Sequence, residues 1–152
     1  MLACASADPD CDEARGLIAE LDAALAAICG DSGSASFDAN DVRGPRAVFL
    51  LARDASGVAV GCGALRPIDE GVAEVKRMYA RPGSRAGVHL LAELERRALA
   101  FGYRAIRLET RRVNGRAVAF YERHGYRVIP NYGRYVGRRG CCLPREDAPG
   151  RG

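Results

Sequence analysis

At 152 residues, 48% of them hydrophobic and 28% charged, with 18 Gly and 7 Pro, the chain has the composition of one globular domain, long enough to bury about 68–70% of the surface its unfolded form exposes. No apolar run approaches the ~20 residues of a membrane span, and Met1–Asp8 has neither the basic region nor the apolar stretch of a signal peptide, so a cytoplasmic protein is expected. The net charge of +4 hides an asymmetry, −8 over residues 1–75 against +12 over 76–152, with 22 Arg and the single Lys76.

In chain order, Leu17, Ile18, Leu21, Leu25 and Ile28 recur at three- and four-residue spacing and predict a helix over Asp10–Cys29, ended by Gly30. Ala47–Arg53 is a short apolar run, Asp54-Ala55-Ser56-Gly57 a hairpin turn, and Val58–Leu65 the answering strand. After a second turn at Asp69-Glu70-Gly71, Val72–Ala80 alternates as a third strand, so three antiparallel strands are expected first. The grammar then changes. A basic loop, Arg81–Gly87, leads to a helix over Val88–Phe101, a strand over Ala105–Thr110 and a helix over Asn114–His124. Strand, helix, strand is a crossover that joins parallel strands. Tyr126–Ile129 and Tyr135–Gly137 are late strand candidates, and the tail 144–152 is expected to be disordered after a single domain over 1–143. The fold class is α/β (α+β): one mixed sheet, antiparallel first and parallel at its middle, with helices on both faces.

A basic half suits nucleic acid, a membrane surface or a phosphorylated cofactor. No helix-turn-helix or zinc spacing supports nucleic acid, and Arg111, Arg112, Arg116, Arg123 and Arg127 read as a solvated face. Six Cys, at 4, 11, 29, 62, 141 and 142, give no C-x-x-C, so free thiols and no metal are expected. Cys141-Cys142 read as plain strand residues. The glycine- and arginine-bearing loop before a helix is a place for phosphate, because unpaired N–H groups and the helix dipole both favour an anion there. Asn114–Tyr126 is the more specific segment: Asn at a helix start, Phe120-Tyr121-Glu122 within it, then Gly125 and Tyr126.

With Val75-Lys76-Arg77-Met78-Tyr79-Ala80-Arg81-Pro82 before the loop and N-x-x-A-x-x-F-Y-E-x-x-G-Y over 114–126, the chain resembles the GNAT superfamily of N-acetyltransferases from about Ala47 to Tyr135. Ile129–Tyr135 also looks like the ending of a group of small bacterial GNAT proteins. The resemblance implies acetyl-CoA as co-substrate, no metal, and transfer to a primary amine of a small molecule or a protein. It allows a homodimer, whose interface the sequence does not locate, and implies no membrane or nucleic-acid partner. The fourth strand of the sheet would splay from the fifth and present the main chain of Met78, Tyr79 and Ala80 to the cofactor. Arg85, Ala86, Gly87 and Val88 would hold its pyrophosphate. A backbone N–H at a bulge in that strand would stabilise the reacting carbonyl. Tyr121 matches the family's acid position, and packing alone is the competing reading. Glu74 would be a base through water, on Met78's strand face by parity, or a surface carboxylate paired with a neighbouring Arg. Asn114 caps its helix and would also touch the cofactor. Tyr126 reads as core, and His89 and His124 receive no role.

One departure stands out. The family loop runs R/Q-x-x-G-x-G/A, and here Arg85 reaches Leu90-Leu91 with about three residues fewer. Three residues are roughly 300° of helix, so a helix that loses its first turn is expected, with fewer N–H groups on the pyrophosphate. The competing function is then a non-catalytic GNAT module with weakened or lost CoA binding. Glu13, Asp22, Asp38, Asp41, Asp69 and Glu70 would favour a cationic acceptor, or are simply solvated.

Overall fold

The computed structural model describes residues 1–30, 37–110, 113–129 and 141–142. The first helix, α1 (Asp12–Cys29), starts two residues inside the expected range. It ends where Gly30 turns left-handed at φ 75° and donates its N–H to the Ala26 carbonyl. Ahead of it lies a strand the sequence reading lacks: β1 (Ala3–Ser6) pairs antiparallel with β2 (Val48–Arg53). Its four small, mostly exposed residues carry no apolar alternation to find. Four antiparallel strands therefore come first, not three, because β2 continues into β3 (Ala59–Asp69) and β4 (Val72–Ala80). β3 outruns its expected end at Leu65, and its pairing with β4 carries it through Pro67.

The helix α2 (Ala86–Ala100) begins two residues before the expected Val88, directly after Arg85, so it does not start late. The expected strand over 105–110 divides at Leu108. Its first part, β5 (Ala105–Arg107), joins β4 in parallel; its second, β6 (Glu109–Thr110), pairs instead with β7 (Cys141–Cys142). Then α3 (Gly115–Arg123) follows, and residues 126–128 form no strand. Tyr135–Gly137, the ending beyond Ile129, Arg111, Arg112 and the tail 144–152 lie outside the described residues.

The unbroken apolar run of β2 has a physical reason: the sheet is covered on both faces. Val48, Leu50 and Ala52 pack with Leu90, Leu94 and Ile106 on the α2 side, while Phe49 and Leu51 meet Leu17, Cys62 and Ala64 on the α1 side. Gly61 and Gly63 let α2 settle close to the sheet. A Cβ at Gly61 would stand 2.8 Å from the Tyr79 carbonyl and 2.9 Å from Ala86 Cβ, and one at Gly63 2.9 Å from both Leu94 Cδ1 and Met78 Sδ. Tyr126 is core as expected, its hydroxyl donating to Glu95 at 2.9 Å.

The alternation of β4 breaks at Arg77. Cys62 pairs with Tyr79 and Ala64 with Lys76, so Gly63 alone stands opposite both Arg77 and Met78, a β-bulge. Arg77 takes φ 53°, a left-handed conformation that costs an L-residue roughly 1–2 kcal/mol. The extra residue reverses the parity beyond it. Met78 therefore packs on the α2 side with Leu94, whereas Glu74 pairs with Arg66 on the other face. The expectation that Glu74 and Met78 share a face is thus overturned by the bulge.

Candidate active site

β4 and β5 pair only at Val72–Ala105, Ala73–Ile106 and Glu74–Arg107; from Val75 onward β4 has no β5 partner. The parting opens a cleft of about 790 Å³ between β4, the starts of α2 and α3, and α1. Of the residues assigned from sequence to a cofactor, Met78, Tyr79, Ala80, Arg85, Gly87, Val88 and Asn114 all line it, and so does Tyr121. Ala86 does not. Its side chain is fully buried against the sheet, and its N–H donates to Ser84 Oγ at 3.3 Å.

At one end the first-turn N–H groups of α2 lack intrahelical partners and carry the positive end of the helix dipole. Gly83 at φ 81° and Arg85 at φ 61° turn the chain sharply into that helix, and the Arg85 side chain is exposed. Arg81 also lines the cleft, but its guanidinium holds Glu20 of α1 at 3.0 and 2.7 Å. The Tyr79 hydroxyl donates to the same carboxylate at 3.1 Å. Bonding to Arg81 holds the Glu20 carboxyl below the usual glutamate range. A lowered carboxylate stabilises the fold above its unfolded pKa of about 4.3 and loses that contribution as pH falls through the folded value. Thermal scans from pH 7 to pH 3 should therefore show Tm falling below about pH 5. Glu20→Gln should fall less over the same range, because this linkage is gone.

At the inner end Tyr121 is 7% exposed, and burial pushes its hydroxyl well above the ordinary tyrosine value. Its ring meets Phe120 and Tyr126 edge-on at 5.2 and 5.8 Å. Beside it lies a smaller chamber of about 160 Å³; Tyr121, Met78, Asn114, Leu21 and Leu25 line both spaces. Glu74 borders the chamber, only 1% exposed, and accepts from Arg66 Nε at 2.9 Å and Nη2 at 2.7 Å. It is an ion-paired carboxylate, as one sequence reading had it, but a buried one. Asn114 caps α3 by accepting from the Ala117 N–H at 3.3 Å while also facing the cleft.

Five of the six carboxylates expected to attract a cationic acceptor have partners within the fold. Glu13 binds Arg53, Asp22 binds Arg77, Asp41 lies 3.5 Å from Arg66, and Asp38 and Asp69 each accept a backbone N–H at 2.9 Å. Contacts within the fold account for these five, whereas the Glu70 side chain is exposed. Sequence reasoning missed Leu21 and Leu25 as cleft wall, and treated Arg116 and Arg123 as a solvated face although both line the cleft. Their seven-residue spacing, two helical turns, puts them on one side of α3 and was the available signal. His89, given no role, lines the cleft as well.

The residues fit an extended cofactor with phosphates at one end: a strand edge unpaired by β5, an anion-favouring helix start with the exposed Arg85, and the buried Tyr121 opposite. Comparison with known proteins agrees. Residues 14–126 match the model of the acetyltransferase (GNAT) family. The chain is 36% identical over 123 residues, 78% of its length and 80% of the relative's, to a protein named IAA acetyltransferase in Azospirillum brasilense. A putative acyl-CoA N-acyltransferase of Klebsiella pneumoniae superposes with a TM-score of 0.80 at 30% identity, over 95% of this chain and 97% of that one. The PaiA N-acetyltransferase of Thermoplasma acidophilum, solved with coenzyme A, shares the fold at TM-score 0.71 and 18% identity, over 96% and 99%. The parted strands, the helix start beside them and the matched sequence together make this chain a member of the acetyltransferase (GNAT) family.

Proposed function

We propose that the protein is an acetyl-CoA-dependent N-acetyltransferase that moves the acetyl group to a primary amine by direct attack. The observation that carries this reading is the cleft itself, with the α2 N-terminus and Arg85 at one end and Tyr121 at the other. Acetyl-CoA supplies an activated thioester carbonyl and a thiolate leaving group. The chain's own residues do the rest. The Met78–Ala80 edge lines up the pantetheine arm, and the α2 start with Arg85 neutralises the pyrophosphate. An alkylamine with a pKa near 10.4 must shed a proton before it attacks. Glu74, beside the chamber, takes that proton through water. As the amine nitrogen bonds to the carbonyl carbon and the C–S bond breaks, Tyr121 gives its proton to the departing sulfur, and the surplus proton on the new amide nitrogen passes through water to restore the tyrosine hydroxyl.

Calorimetric titration with acetyl-CoA tests the reading. Micromolar binding is expected, and Arg85→Ala should weaken it about tenfold, the typical loss of a charge-assisted contact. Raising the salt should shrink that difference. Absence of binding by the natural chain, restored when three residues are inserted after Arg85, would instead support a non-catalytic GNAT module.

A further inference from the structure

The bulge in β4 has the wrong residue for its geometry. In bulges whose first residue is left-handed, that residue is normally glycine. Here it is Arg77, with a full side chain. Two contacts of its own and one of its neighbour hold it. Its side chain is 5% exposed, and its guanidinium is ion-paired to Asp22 of α1. Its carbonyl accepts the Cys62 thiol at 3.4 Å, from the strand across the bulge. Its neighbour Met78 is pinned on the opposite face beneath Gly63 and Leu94. Burial pushes the Cys62 thiol up to about 12, so it stays protonated and a donor through the neutral range. Arg77 and Met78 also border the chamber beside Tyr121.

From this we propose that Asp22 is a positioning residue, which through Arg77 clamps the β4 bulge, where a residue drops out of the ladder with β3, and so fixes the direction of the main-chain N–H groups of Arg77 and Met78 beside the chamber. The Cys62 thiol is the second jaw. Glycine would adopt the same φ without strain but would carry no tether. An arginine there ties the strand's conformation to α1, whose Leu21 and Leu25 form the cleft wall. The clamp thus couples the helix bounding the cleft to the main chain of the bulge. The use of those N–H groups in stabilising the thioester oxygen rests on the transferase reading above, whereas the clamp itself does not.

Two measurements separate these. In hydrogen exchange on the free protein, Asp22→Asn should speed exchange of the 75–80 segment at least tenfold and leave Leu50 and Leu51 unchanged. Asp22→Glu, which keeps the ion pair, should stay within about twofold of the natural chain. Unchanged exchange at 75–80, or equal acceleration at Leu50 and Leu51, would overturn the clamp whether or not acetyl-CoA binds. The second measurement is the infrared carbonyl stretch of bound [1-¹³C]acetyl-CoA. The natural chain should lower it relative to free acetyl-CoA, and Asp22→Asn should lose most of that shift while affinity changes less than threefold. An unaltered shift in the Asn variant would refute the positioning role. No binding by the natural chain would refute the transferase reading and leave the exchange result to decide the clamp.

Discussion

Replacing Tyr121 by Phe should lower kcat about 100-fold, while acetyl-CoA affinity stays within threefold and the fold melts within a few degrees of the natural chain. The size follows from the usual contribution of a positioned proton donor, 10²–10⁴-fold, of which the lower end is about 2.7 kcal/mol of barrier. The selectivity for kcat follows from geometry. The ring is packed against Phe120 and Tyr126, and phenylalanine keeps that packing while removing only the hydroxyl. The sign of the pH effect is fixed by burial. A hydroxyl held above tyrosine's ordinary value near 10 stays protonated at every working pH. Tyr121 should therefore contribute no alkaline limb to the kcat profile below pH 10. Rate profiles of the two proteins on one amine check both statements, and equal kcat values would remove Tyr121 from the mechanism.

Gly61→Ala should destabilise the fold by about 1–3 kcal/mol, the range for overpacking a filled core, or about 2–10 °C in Tm. The new methyl would press on the Tyr79 carbonyl, Ala86 Cβ and Leu90 Cδ1, all inside 3 Å. Backbone oxygen cannot retreat without disturbing β4, and Ala86 is the first residue of α2. The same substitution should therefore weaken acetyl-CoA binding by moving the helix start that faces the cleft. Gly71→Ala is the control. There a Cβ meets the guanidinium of Arg104, an exposed and flexible side chain that can swing aside. Its cost should be smaller than that of Gly61→Ala, about 0.5 kcal/mol, because only the far end of Arg104 has to move. Equal melting of the two variants would show that α2 does not rest on Gly61 as tightly as the distances say.

Which parts of this were legible in the chain depends on how local the determining force is. The spacing of Leu17, Leu21 and Leu25 predicted α1, Gly30 its end, and the alternation of 72–80 the limits of β4. Each is a pattern within a single element. β1 escaped because four small exposed residues pair by backbone alone, and pairing to β2 depends on what the rest of the chain has built. The division of 105–110 escaped for a similar reason: β5 and β6 differ in their partners, not in their composition.

At the candidate site the same line runs between residue type and residue environment. By itself, the sequence determined the family through its two motifs and the cluster of Met78–Ala80, Arg85, Gly87, Val88, Asn114 and Tyr121, because motif spacing survives as long as the elements do. Tertiary structure decided the rest. Only the packed chain shows that Arg81 is held by Glu20, that Glu74 is buried on Arg66, and that much of the acidic first half is tied up in contacts within the fold. It alone reveals the bulge at Arg77, since one inserted residue reverses every later side chain while leaving the written alternation unchanged. Ion pairing and strand register are fixed between segments far apart in the chain, and local spacing carries no record of them.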